Sequence, residues 1–355
     1  MSESMITSIE TFFKKYLHTE SIRSHLLYFF VLLVFVPTAA TSLTSAVLGW
    51  QNGRQRAVDQ LQLAAKFKTS EIESWTHTLI NELYSVLNQG DAREIVLYML
   101  RWYQQAEEET SSSEDAADAT ELPTGLITEL EWRFQRHIEQ PQTLENLFLV
   151  TLKGKVVASN LQPKGKIDVS DLYFQKALEG PYAYFAPLDQ ATVVVGIPIF
   201  EQGQGPGDPD YTILGMLVGQ ASTETLDDIM LAQTELGETG ETYLVNQDYI
   251  PITPLKFADE LGQSIGMEDV ASQGSHRAIE DREDGFGFYR GYQGRPVVGV
   301  YRWLPEMNVA LLAEQRQSEA FRAIYQTLGI NLGVAVLAVV GAVITATFIA
   351  QRIAT

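Results

Sequence analysis

Two stretches of this chain run for 24 residues without a charge, Leu26 to Gly49 and Thr327 to Ala350. As helices rising ~1.5 Å per residue, each would be about 36 Å long, more than the ~30 Å hydrocarbon core of a bilayer. The first run is too long for the apolar core of a cleavable signal peptide, which spans roughly 7–15 residues, so it reads as an uncleaved anchor. The second, built from Gly, Ala, Val, Ile and Leu, reads as a membrane span rather than a buried soluble helix. Lys14, Lys15 and Arg23 precede the first run and Arg352 follows the second. Basic residues in short flanks stay cytoplasmic. Both ends are therefore expected inside, and residues from 50 to 326 outside.

The chain carries 45 acidic and 25 basic residues, a formal net charge of -20. That balance disfavours nucleic acid and anionic membrane surfaces as partners of the outer part. Cysteine is absent, which excludes disulfides, thiolate metal sites and a cysteine nucleophile. The outer part must be held by its core alone, and about 270 residues suffice for one. Enzyme signals are weak. "GFGFYRG" opens like a phosphate loop, but Arg290 stands where the third glycine would be. His18, His25, His77, His137 and His276 lack metal-ligand spacing. No His-Glu-x-x-His occurs. No catalytic residue, metal or cofactor is expected.

Residues 50–90 read as one long helix. Val58, Ala65, Ile72, Leu79 and Val86 recur every seven residues, with Leu61 and Trp75 on the interleaved position and Lys68 and Glu82 interrupting it. Such a stalk packs on its own domain, pairs with a second subunit, or does each at a different height. "REIVLYMLRWYQQ" and "TGLITELEWRFQRHIEQ" read as helices, the latter with His137 packed or solvated rather than a ligand. The acidic "AEEETSSSEDAADATE" between them reads as a solvated loop. From Glu145 the period becomes that of strands. "ENLFLVTLKGKVVAS" is a hairpin and "DLYFQKALEG" a short helix closed by Gly180. "ATVVVGIPIF" and "YTILGMLVGQAS" are strands, and "STETLDDIMLAQT" is a helix capped by Ser222 or Thr223. The plan then restarts. "GETGETYLVNQDYIPIT" reads as strand, break, strand, and "FADELGQSI" as a helix. "HRAIEDRE", a hairpin through "GFGFYRGYQGRPVVGVYRWL" and "MNVALLAEQ" all read as strands. The fold class is α+β, two similar modules on a long helix with their boundary near residue 235.

This order resembles the double Cache sensor domains of bacterial receptors, and the resemblance covers residues 26–355. Its most specific pieces are "DLYFQKALEG", "GETGETYLVN" and "GRPVVGVYRWLPEMNVALLAEQRQSEAF". The resemblance implies two PAS-like antiparallel-sheet modules, a membrane-distal one at 91–235 and a membrane-proximal one at 236–316. Around them lie a cytoplasmic tail (1–25), a first transmembrane helix (26–49), the stalk (50–90) and an unbroken helix entering the second span (317–350). Residues 351–355, "QRIAT", resemble the start of a HAMP linker. In the family such linkers lead to histidine kinase, chemotaxis or cyclase domains, and the protein would sit in the inner membrane with its sensor periplasmic.

The resemblance also implies a small-molecule ligand in the distal module. Amino-acid-binding members carry Arg-x-Trp-Tyr at the helix equivalent to "DLYFQKAL". Here Tyr173 and Phe174 fall on the aromatics and Asp171 on the arginine. An aspartate repels the ligand carboxylate that an arginine would grip, so a cationic or polar ligand fits better than an ordinary α-amino acid. Asp171 also suits an N-cap. Asp189, Tyr182 and Tyr184 are the nearest candidates for contacting an amine. In the second span Gly329 and Gly333, continued by Ala338, Ala342 and Ala346, form a small-residue face suited to a homodimer contact. The competing readings are an anchored interaction domain without a ligand and, third, an exported hydrolase. Reporter fusions test the topology: a fusion after Phe200 is expected on the opposite side of the membrane from one at Met1.

Overall fold

The computed structural model describes residues 22–112, 124–139, 143–161, 172–185, 192–201, 211–232, 236–258 and 270–353. It divides into two compact units, Met1–Ala57 with Gln317–Thr355, and Val58–Arg316.

The first unit holds the N-terminal part of α1 (Ile22–Leu87) together with α7 (Gln317–Ala320) and α8 (Arg322–Ile353). Both long helices are long and apolar enough to cross a membrane. Their large side chains, among them Leu32, Leu43, Leu337 and Ile344, are exposed in the isolated chain, where a water-soluble helix would bury them. Pro37 lies inside α1 and removes one backbone donor. Around it Thr38 donates to the Val34 carbonyl at 2.7 Å and Thr41 to the Pro37 carbonyl at 2.9 Å. Hydroxyl bonding of this kind lets apolar helices accommodate proline. The helix expected to run unbroken from Gln317 is interrupted at Phe321, between α7 and α8. Phe321 is buried and its ring lies 4.9 Å from that of Trp50.

In the second unit the heptad seam of α1 is spent on its own chain. Val58, Leu61, Ala65, Ile72, Trp75, Leu79 and Val86 are all buried in this unit. The two charges that interrupt the seam are buried with them, and both are bound. Lys68 donates to the Ile229 carbonyl and, at 3.2 Å, to that of Ala232, at the C-terminal end of α5 (Glu224–Leu231). Burial holds its pKa below the usual lysine value, against the opposing pull of Glu71 at 3.7 Å. Glu82 accepts from the backbone N–H groups of Thr143 and Leu144, at 3.2 and 3.4 Å. His137, on α3 (Thr124–Ile138), is buried 3.2 Å from the same carboxyl.

The helix α2 (Ala92–Ser112) runs on through Ser112, into the acidic segment expected to be loop; residues 113–123 lie outside the described part. With α3 it packs on the first sheet, made of β1 (Leu144–Thr151), β2 (Val156–Ser159), β3 (Tyr182–Phe185), β4 (Thr192–Phe200) and β5 (Ile213–Ser222). All pairings are antiparallel, in the order β2-β1-β5-β4-β3. The short helix α4 (Leu172–Glu179) packs on β3, β4 and β5. At α5 the capping hydroxyl comes from Ser222, whose Oγ accepts from Glu224 N at 3.1 Å, while Thr223 makes no side-chain cap.

The second sheet is β6 (Glu241–Val245), β7 (Gly285–Arg290), β8 (Pro296–Leu304) and β9 (Val309–Arg316), in the order β6-β9-β8-β7. The β7–β8 hairpin turns at Gly294, which takes a left-handed φ of 70°. Two strand expectations fail here. "HRAIEDRE" begins inside a helix, α6 (Gln273–Ile279), because Ser272 and Ser275 form a reciprocal capping box that nucleates it. "IPIT" forms only a bridge, Val245 with Pro251, since proline cannot donate to a ladder. "FADELGQSI" falls almost wholly outside the described residues.

Replacing Glu82 by alanine strands two backbone N–H donors, those of the half-buried Thr143 and the buried Leu144. It should lower unfolding free energy by about 3 kcal/mol in urea titrations, whereas alanine at the exposed Glu73 on the same helix should change it little.

Candidate functional site

The strands of the first sheet alternate their side chains between two faces. One face is closed by the helices: Leu147, Leu149, Val193, Val195, Ala183 and Phe185 are buried, and the Phe185 ring lies 6.4 Å from that of Trp75 on α1. The other face carries α4. Cross-strand register places Phe148 opposite Val218, Val218 opposite Gly196, and Gly196 opposite Tyr182 on it. One register step along, Val194 pairs with both Tyr184 and Gln220, and Gln220 with Asn146.

Helix α4 sits low on this face because Gly196 has no side chain. A Cβ there would come within 2.9 Å of the Ala177 Cβ. Phe174 and Ala177 enter the core with Val150, Val156, Met216 and Val218. Next to that core the face is less covered: Phe148, Tyr173, Tyr182, Tyr184 and Val194 are only half-buried. The rings of Tyr173 and Tyr184 lie 5.8 Å apart, tilted by 33°. Burial raises the pKa of Tyr182, with a smaller push from Tyr184. A row of carboxamides borders the aromatics: Asn146 donates to Gln220 and Asn160 to Asn146, both at 3.3 Å. The result is an aromatic floor with amide groups at its edge, the composition that holds small polar molecules.

Four of the six residues singled out from sequence are thus described. Tyr173, Tyr182 and Tyr184 come together on the half-covered face, while Phe174 is core. Asp171 and Asp189 lie outside the described residues. Asn146, Asn160 and Gln220 were not anticipated. Asn146 could have been, since it alternates with Phe148 and Val150 on the same strand. Tyr182 also borders a cleft of about 820 Å³ lined by His77, Lys176, Gln247, Arg282 and Asn308. Among the described residues no cluster of three or more His, Asp or Glu side chains could hold a metal ion.

This arrangement of two antiparallel sheets on a long helix has a counterpart among known families. Residues 52–324 match the family model described as Cache domain, dCache_1. The chain belongs to this double Cache family of sensor domains. Several solved structures are similar in fold. One is the ligand-binding domain of Mlp24 with asparagine, at 13% identity over 77% of this chain and 98% of that one, with a TM-score of 0.43. Another is the sensor domain of the V. cholerae histidine kinase DctB, at 14% identity over 68% and 98%, with a TM-score of 0.38. A third is the periplasmic domain of RsbU from Chlamydia trachomatis, at 16% identity over 72% and 99%, with a TM-score of 0.40. No curated protein matches the sequence.

Valine at Gly196 would push α4 off the sheet. Gly196→Val should destabilise the chain by about 1–3 kcal/mol, measured by thermal unfolding, and should speed tryptic cleavage at Lys176.

Proposed function

We propose that this chain is the ligand-sensing part of a transmembrane receptor. Residues 91–235 form its membrane-distal module and residues 236–316 its membrane-proximal one, each PAS-like. The two apolar helices cross the membrane, leaving both termini cytoplasmic. A small polar or cationic molecule settles on the α4 face of the first sheet, between Tyr173, Tyr182 and Tyr184. The observation that carries this reading is the half-covered aromatic face. An apolar core has no reason to leave three tyrosines and a phenylalanine partly open beside a row of carboxamides.

Signalling follows from differential affinity: the ligand favours whichever arrangement of the sensor it binds better. The chain passes from β9 directly into α7 and α8, so a displacement of that strand reaches the second span without an intervening loop. The protein works as a homodimer, with Gly329 and Gly333 at the contact in the lipid and an effector acting on the cytoplasmic side.

The test is a thermal-shift screen of the detergent-solubilised chain against amines, polar amino acids, organic acids and nucleobases. One class should raise the unfolding midpoint, by the equivalent of about 2.7 kcal/mol at a hundredfold excess over Kd. Tyr173→Ala and Tyr184→Ala should each abolish that rise while leaving the unliganded midpoint within a few degrees of the parent. A rise that survives both substitutions would move the site elsewhere.

A further inference from the structure

The second sheet buries two carboxyls that the ligand reading does not use. Glu241 opens β6 and Glu314 lies near the end of β9, and the two are cross-strand partners. Their side chains therefore leave the sheet on the same face, at a spacing where like charges repel. It is the face that packs beneath α6 and continues as Tyr243, Leu312, Tyr289 and Tyr301. Glu241 is 9% exposed and Glu314 2%.

Their surroundings supply little compensation. Tyr292 donates to Glu241 Oε2 at 3.0 Å. Among the described residues Glu314 Oε1 makes no well-formed hydrogen bond, and what relief Glu314 receives comes from the hydroxyls of Tyr289 and Tyr243, which pull its pKa down. The nearby cations, Lys256 and Arg316, act on Glu241, and neither acts appreciably on Glu314. Lys256 is already bound to the carbonyls of Glu238 and Gly240, at 2.9 and 3.0 Å, and Arg316 reaches Gln293 at 3.0 Å. On α6 the charged groups turn elsewhere, His276 to Glu280 and Arg277 to Tyr301. Nor is there room for a sizeable guest: the Tyr289 hydroxyl fills the space that a Cβ on Gly274 or Gly299 would take. The species that can settle such a pair is the smallest one.

We infer that Glu241 and Glu314 form a proton-binding site, so that the second sheet senses pH: the pair holds a proton at neutral pH, and releasing it sets like charges on β6 and β9 and loosens them from each other. This does not rest on the ligand site of the first sheet. Burial pushes Glu314 up to about 8, against the opposing effects of Tyr289 and Tyr243, and the neighbouring Glu241 adds to the rise. Burial likewise pushes Glu241 up to about 7, against the opposing effects of Tyr292, Lys256 and Arg316. The two titrate as a unit. In the unfolded chain both would release their protons near pH ~4.3. Between about pH 4 and pH 8 the folded state therefore binds more protons, and stability falls as pH rises through that window.

The experiment is an infrared pH titration of the full chain in detergent, following the carbonyl band of protonated carboxyls. The parent should lose a component with a midpoint between about pH 7 and pH 8, above that of Asp227, which burial pushes to about 6. The Glu241→Gln/Glu314→Gln double variant should lack the component. Its thermal midpoint should fall less than the parent's between about pH 6 and pH 9. At the upper pH, amides of β6 and β9 should exchange on the order of tenfold faster in the parent than in Glu314→Gln; should that variant not fold, Glu241→Gln serves for the same comparison. A parent without the neutral component, a double variant that keeps it, or equal exchange rates would overturn the inference.

Discussion

The structure depends on two charges that a long helix cannot bury alone. An uncompensated ammonium or carboxylate in a core costs several kcal/mol. Lys68 and Glu82 therefore tolerate only those folds that bring them partners. Lys68 finds them in the carbonyls at the end of α5, the helix that joins the two sheets. Glu82 finds them in the two N–H groups where β1 begins. Each anchor fixes one height of α1 against one joint of the chain, and the apolar seam between them fills the rest. The charges that spoil a coiled coil are thus what register the helix on its own domain. With the seam from Val58 to Val86 already buried, any second subunit has to meet α1 along a different face.

The two sheets answer the same packing problem differently. In the first, Gly196 lets α4 lie close, and the tyrosines beside it are left half-covered. In the second, α6 closes over the sheet and Tyr289 fills the room that two glycines leave. One sheet keeps apolar and amide surface available, while the other keeps charge out of water. The first is the face a small molecule could reach, and the second holds the two carboxyls that burial perturbs most.

Much of this was legible in the sequence. The apolar runs, the seven-residue repeat, both hairpins and the order of elements follow from periodicity, because side-chain spacing reflects burial directly. The misses have local causes. "HRAIEDRE" is polar enough to pass for an edge strand, and its helical fate is decided upstream by the Ser272–Ser275 box. The break at Phe321 comes without proline or glycine; the sequence shows an aromatic there and not the Trp50 ring it meets. Tyr173, Tyr182 and Tyr184 could be placed together through the family pattern. Asn146 and Gln220 could not, since their meeting depends on strands 74 residues apart. The carboxyl pair was hidden for the same reason, although Glu241 and Glu314 each share the inward parity of their strands.

The position of that pair bears on how much a proton could accomplish. Switching a two-state sensor almost completely takes roughly a 10⁴-fold difference in affinity between its states. A state that fully exposed Glu314 would return it from about 8 to near its ordinary 4.5. That difference bounds the coupling of one carboxyl at somewhat over about 10³-fold, and any partial exposure delivers less. One proton can therefore bias the sensor strongly without saturating it. The remainder has to come from a second source of differential binding, such as the ligand proposed for the open aromatic face of the first sheet. A chain with one site of each kind on two sheets held to a single helix can add the two free energies, provided both act on the same arrangement of β9.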